Sequence, residues 1–189
     1  MEPLEMAGMT KLDIAEGRHL PQHHGRYDVT KFYLGLNEAR INFDLIEGNV
    51  FCGSVPITEA DMDLIKKRGF GAILDLCGDN SNEGEMAKAR GIAYLHEFVF
   101  DTYSPKQDQF KRIADYIEAE QKKHKVYVHC HAGRGRAPTS IIAWLISRGK
   151  DVMPALNLVH IKRKSETLFV SERQLFGLKT FAQSIRRKN

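Results

Sequence analysis

Short apolar runs and helical-period stretches alternate along most of the chain. KVYVHC (125–130) and GAILDLC (71–77) are apolar runs bounded by turn residues, and both read as buried strands. NVFCGSVP (49–56) reads as a short strand leading into a loop, and IAYLHEFVF (92–100) as a further strand. Between them lie helix signals. Thr58 with Asp61 three residues on can cap a helix that Gly69 ends. EMAKAR (85–90) is a short helix stopped by Gly91, and Ser104 with Pro105 forms an N-cap and first-turn pair. The helix after it places Phe110, Ile113, Ala114 and Ile117 on one face. TSIIAWLISR runs as a helix to Gly149, with Trp144 in its apolar body. Pro154 opens another, with Leu158 and Ile161 facing inward. Ser171 and Gln174 make a capping box for the last, whose apolar residues are Leu175, Leu178, Phe181 and Ile185. The pattern predicts an α/β fold: one domain with a central, mostly parallel twisted sheet flanked by helices.

Residues 1–40 are the least regular and read as an N-terminal extension to a domain over 41–189. His19, His23 and His24 in HLPQHHG have no ligand spacing and suit a solvated loop better than a metal site. A chain of 189 residues, 42% apolar, is enough for one proper core. It has no apolar run of about 18 residues, the length that spans a membrane. MEPLEMAGMTKLDIAEG lacks the apolar core of a signal peptide, so secretion by that route is not expected. Cys52, Cys77 and Cys130 are odd in number and at no metal-ligand spacing, which suits free thiols in the cytoplasm or another reducing compartment. The net charge of +4 suits an anionic substrate without requiring one.

VYVHCHAGRGRAPTS (126–140) changes the picture, because it puts a thiol at the mouth of a glycine-rich, basic loop between a strand and a helix. Successive backbone N–H groups in such a turn converge on one centre, and the helix N-terminus adds partial positive charge. Gly133 and Gly135 let the backbone curl, and the planar fork of Arg136 matches two phosphate oxygens. The same field favours the thiolate form of Cys130, a nucleophile placed beneath a bound phosphate. A buried structural cysteine would need none of this.

HCHAGRGR resembles the His-Cys-x5-Arg signature of the protein tyrosine phosphatase superfamily, in its dual-specificity branch, and the resemblance extends over about residues 48 to 185. It implies a phosphatase with a two-step mechanism through a phosphocysteine, with no cofactor and no metal. Carried onto this sequence, Cys130 attacks and Arg136 binds phosphoryl oxygens. His131, Ala132, Gly133, Arg134 and Gly135 complete the cradle, and His129 supports the thiolate from outside the loop. The family also has an acid on a loop upstream. FVFDTYSPKQDQF offers Asp101, with D-x-x-x-P spacing to Pro105, to protonate the leaving oxygen and then deprotonate the hydrolytic water. Asp108 is a rival, but its place in the first turns of a helix suits the helix dipole. One position departs from the pattern: Ala137 stands where the family usually has Ser or Thr, which predicts slower breakdown of the phosphoenzyme. Starch glucan phosphatases of the same branch also read Gly-Arg-Ala-Pro.

Substrate class is less determined. The basic pair His131 and Arg134 looks like the loops of the phosphatase and tensin homologue and of phosphatidylglycerophosphate phosphatases, and implies a phospholipid or phosphoinositide head group. A phosphotyrosine or dual-specificity protein substrate is the alternative, and a catalytically weak phosphate-binding module a third reading. KRK (162–164) and RRK (186–188) could touch an anionic membrane, although short basic runs are more often solvated; no nucleic-acid partner is expected. The resemblance to the phosphatase and tensin homologue also marks Cys77 as a redox partner for Cys130, against the plainer reading of a small core residue.

Overall fold

A computed structural model describes residues 41–78, 81–164 and 168–187. The proposed N-terminal extension, 1–40, with its three histidines, lies outside the described residues. Five strands form one sheet in the order β1-β2-β5-β3-β4: β1 (Asp44–Glu47), β2 (Val50–Ser54), β3 (Phe70–Asp75), β4 (Ala93–His96) and β5 (Lys125–Cys130). Only β1 runs antiparallel, against β2; the other pairs are parallel, so the mostly parallel sheet expected from the sequence is what forms.

Among the described residues, six helices cover the sheet: α1 (Glu59–Lys67), α2 (Glu83–Ala89), α3 (Gln107–Glu120), α4 (Arg136–Ser147), α5 (Val152–Lys162) and α6 (Glu172–Arg186). The two-residue period of β5 sorts its side chains between two cores. Val126, Val128 and Cys130 join one core with Phe110, Ile113, Trp144 and Leu178 of the later helices. Tyr127 joins the other, with Met62 and Ile65 of α1 and Met86 of α2. The central helix α4 is buried almost all round, as a helix apolar on every face must be.

The caps read at Thr58 and Ser171 form as expected, each a reciprocal box with Asp61 or Gln174. Other boundaries shift. Helix α3 begins at Gln107, with Lys106 rather than Ser104 at its N-cap, because the Gln109 carboxamide accepts from the Lys106 N–H at 3.0 Å. Ser104 instead packs against α6, and its hydroxyl donates to the Pro105 carbonyl. Helix α5 begins at Val152, two residues before Pro154, and its buried residues are Ala155, Leu156 and Val159. Ile161 is 67% exposed, contrary to the inward face expected. Strand β4 stops at His96, well short of Phe100. Strand β3 stops at Asp75, so Cys77 lies two residues past its end.

Candidate active site

Parallel pairing puts the carboxyl ends of β2, β3 and β5 on one edge of the sheet, where open α/β folds place their sites. Cys130 ends β5 there, buried, opposite Ser54 in register. The five residues that follow make the turn into α4, with Gly135 as N-cap and Arg136 as its first residue.

The loop's carbonyls are turned outward and held. That of His131 accepts from the Val55 N–H at 3.0 Å, that of Gly133 from Arg163 Nε at 3.1 Å, and that of Arg134 from the Phe169 N–H at 2.8 Å. In a planar trans peptide the N–H points opposite the C=O. The amides of Ala132, Arg134 and Gly135 therefore face the loop's interior, as an anion cradle requires. Gly133 has φ +67°, and a Cβ there would lie 2.4 Å from the Gly53 oxygen, so both conformation and space demand glycine. A Cβ on Gly135 would come 2.9 Å from the Phe169 oxygen. Arg134 is exposed at the rim and His131 is half-buried.

Arg136 is buried, and its Nη1 donates to the Val99 carbonyl at 3.3 Å. Its Nε lies 3.2 Å from Oδ1 of Asp101, an ion pair without hydrogen-bond alignment. Asp101 itself is 77% exposed on the loop between β4 and α3. Its neighbour Thr102 has φ +63°, a conformation a β-branched residue adopts only where its surroundings impose it. Here the start of α6 does so. Ser171 donates to the Thr102 carbonyl at 2.5 Å, Gln174 Nε2 to that of Tyr103 at 3.2 Å, and the Arg173 guanidinium stacks 4.4 Å from the Tyr103 ring. Gln174 thus caps α6, as read from the sequence, and also ties down the Asp101 loop. Asp108 sits in the first turn of α3 and pairs with Arg112, away from this cleft.

His129 points to the opposite face of the sheet from Cys130, fully buried, with Nε2 2.7 Å from Glu83 Oε1. Its Nδ1 is 4.0 Å from Asp75 Oδ1, and Tyr94 donates to Asp75 Oδ2 at 2.9 Å. Burial by itself would lower the His129 pKa, but the Glu83 and Asp75 carboxylates outweigh it and hold it above the ordinary histidine value. Burial likewise pushes the Glu83 carboxyl up, so this pair keeps its proton more tightly than in water. For Asp75, burial is outweighed by His129 and by N–H donors from Cys77 and Gly78, which hold the carboxyl low.

Three participants were not legible as site residues. Arg163, in a KRK run that reads as solvated, is buried; it pairs with Asp44 and holds both the Gly133 and Cys52 carbonyls. Its position seven residues after Leu156 and four after Val159, on the buried face of α5, is the signal that points inward. Glu83 and Asp75 carried no local signal. None of the three cysteines is in a disulfide. Burial pushes the Cys52 thiol up to about 12, so it stays protonated beneath the loop.

The family described as "Polymorphic toxin system, DSP-PTPase phosphatase" matches residues 49–150, which include Cys130, Arg136 and Asp101. The chain belongs to this family, within the dual-specificity branch of the cysteine-dependent protein tyrosine phosphatases. It is 31% identical over 109 residues to a probable protein tyrosine phosphatase type IVA B of Dictyostelium discoideum, covering 54% of this chain and 64% of that protein. It is 29% identical over 111 residues to the protein tyrosine phosphatase PRL-1 of Leishmania major, covering 53% and 62%. The match thus spans less than two thirds of these relatives. Among solved structures, the active form of Tk-PTP superposes with a TM-score of 0.67 at 28% identity, covering 78% of this chain and 99% of that one. PTPMT1 in complex with PI(5)P superposes with a TM-score of 0.68 at 21% identity over 77% and 97%, a likeness of fold.

Proposed function

We propose that the chain hydrolyses phosphomonoesters through a phosphocysteine on Cys130. The observation that carries this reading is the placement of Cys130 under a cradle of inward amides, with Arg136 and Asp101 3.2 Å apart at its mouth. In the first step the Cys130 sulfur attacks phosphorus, the ester P–O bond breaks, and the leaving oxygen takes a proton from Asp101. Water then attacks the phosphocysteine, giving a proton to Asp101, and phosphate leaves with Cys130 again a thiolate. The amides and Arg136 stabilise the equatorial oxygens in both steps. Ala137 brings no hydroxyl to the departing thiolate, so the second step is the slower one.

The substrate class best supported is a phospholipid or phosphoinositide head group. Arg134 at the rim adds positive charge beyond one phosphate, and His131 within the loop adds a hydrogen-bonding ring. Beside Asp101 stand exposed aromatic rings, Phe98, Phe100 and Tyr103, in edge-to-face contact at 4.9 and 6.1 Å, an apolar border suited to a lipid surface. A phosphotyrosyl protein is the second reading, favoured by relatives named as protein tyrosine phosphatases. Turnover of phosphoinositide vesicles and phosphotyrosyl peptides, measured side by side with a chelator present, separates them. Higher kcat/KM on vesicles supports the lipid reading; higher kcat/KM on peptides replaces it.

A further inference from the structure

Behind the loop, apart from the cradle, a second group of ligating side chains converges. One ligand atom each from Asp75, Cys77 and His129 lies within 4.8 Å of the others, and all three residues are buried. We propose that these residues form a site for a divalent transition metal of the zinc class, independent of the phosphatase reading and behind the catalytic cysteine.

Four observations carry it. First, the donor set is one imidazole, one thiol and one carboxylate, the mixture zinc accepts and magnesium or calcium does not. Second, His129 Nδ1 is fully buried 4.0 Å from Asp75 Oδ1, with the Cys130 backbone the ring's other polar neighbour. That gap is too long for a hydrogen bond. It is close to the roughly 3.2–3.8 Å between donors around a tetrahedral zinc, so modest side-chain shifts close the set. Third, the other ring nitrogen is already committed to Glu83 at 2.7 Å. A carboxylate accepting from one histidine nitrogen is the usual outer partner of such sites, and metal binding displaces the proton on the other. Fourth, there is an opening. His96 is part-exposed, its Nε2 is 3.8 Å from Asp75 Oδ2, and it packs where a side chain on Gly78 would collide with it at 2.9 Å. It can serve as a fourth ligand or yield to water.

Loading costs Cys77 its thiol proton, and the imidazole binds through a deprotonated Nδ1; both protons pass to solvent. The ion's two positive charges meet Asp75 and the Cys77 thiolate directly, with Glu83 behind His129. A bound ion would tie the carboxyl ends of β3 and β5, the two strands that frame the cradle.

The test uses the full chain carrying Cys130→Ser, so that neither turnover nor the catalytic thiolate contributes. Zinc affinity is read by competition with a chromophoric chelator, and cobalt(II) reports the ligands by its absorption. One equivalent should bind, with tetrahedral bands and a thiolate-to-cobalt charge-transfer band. Adding Cys77→Ser should abolish that band and weaken zinc about tenfold or more, while Glu83→Gln keeps the band and weakens zinc about 10- to 100-fold. Absence of stoichiometric uptake in the Cys130→Ser protein overturns the proposal, as does a band that survives Cys77→Ser. Should Cys77→Ser fold poorly, Cys130→Ser with Cys52→Ala leaves Cys77 as the sole thiol, and the presence or absence of the band decides the same point.

Discussion

Asp101 Oδ1 rests 3.2 Å from the Nε of Arg136 while its side chain stays largely in solvent. The ion pair joins the proposed acid to the proposed phosphate-binding arginine. A bound phosphate would take the guanidinium's fork and leave Asp101 above the ester oxygen. Asp101→Asn should therefore lower turnover about 10²-fold or more for alkyl phosphates, with poor leaving groups, and much less for an activated aryl phosphate. Asp108→Asn should be near normal. A larger loss in Asp108→Asn than in Asp101→Asn would reverse the assignment.

The loop that carries Asp101 depends on a contact at Gly177. A Cβ there would lie 1.9 Å from the Ser104 hydroxyl, so Gly177→Ala must push the loop away from α6. We expect it to reproduce the leaving-group dependence of Asp101→Asn without changing the alkylation rate of Cys130 by iodoacetate. Equal losses on good and poor leaving groups would separate α6 from the acid's positioning.

The His129–Glu83 pair gives stability a pH dependence of definite sign. Both groups hold their protons above their ordinary values in the folded state. The His129 contribution is fully present below the unfolded histidine pKa of about 6.5 and that of Glu83 below the unfolded carboxyl pKa of about 4.3, and each is lost as pH rises through its folded value. Asp75, held low, acts oppositely: its contribution is lost only as pH falls through its folded value in acid. With chelator present, the urea midpoint should fall on the alkaline side, and His129→Gln should flatten that limb. A midpoint that rises with pH there would contradict the assignment.

Cys77 bears on oxidation as well as metal. Mild peroxide should inactivate the enzyme and a thiol reductant restore it, with Cys77→Ser making the loss largely irreversible. Equal recovery in that variant, or no 77–130 linkage by mass spectrometry, would leave Cys77 without a redox role.

Much of this was readable from local pattern. KVYVHC is the observed β5 to the residue, and the caps at Thr58 and Ser171 are fixed by short-range hydrogen bonds. What failed was decided by distant partners. Ser104 and Pro105 look like a helix start, yet Ser104 is taken by α6. Arg163 looks solvated because its partners, Asp44 and the Cys52 and Gly133 carbonyls, are far off in sequence. Glu83 meets His129 only because α2 starts against the carboxyl end of β5.

If the phosphoryl group passes through the Cys130 sulfur, rapid acid quench during turnover reads this directly. If Ala137 slows hydrolysis as proposed, a phosphate adduct should accumulate on the peptide holding Cys130 and be absent in Cys130→Ser, which should also lose turnover. An adduct on another residue, or undiminished metal-free turnover in Cys130→Ser, would contradict it.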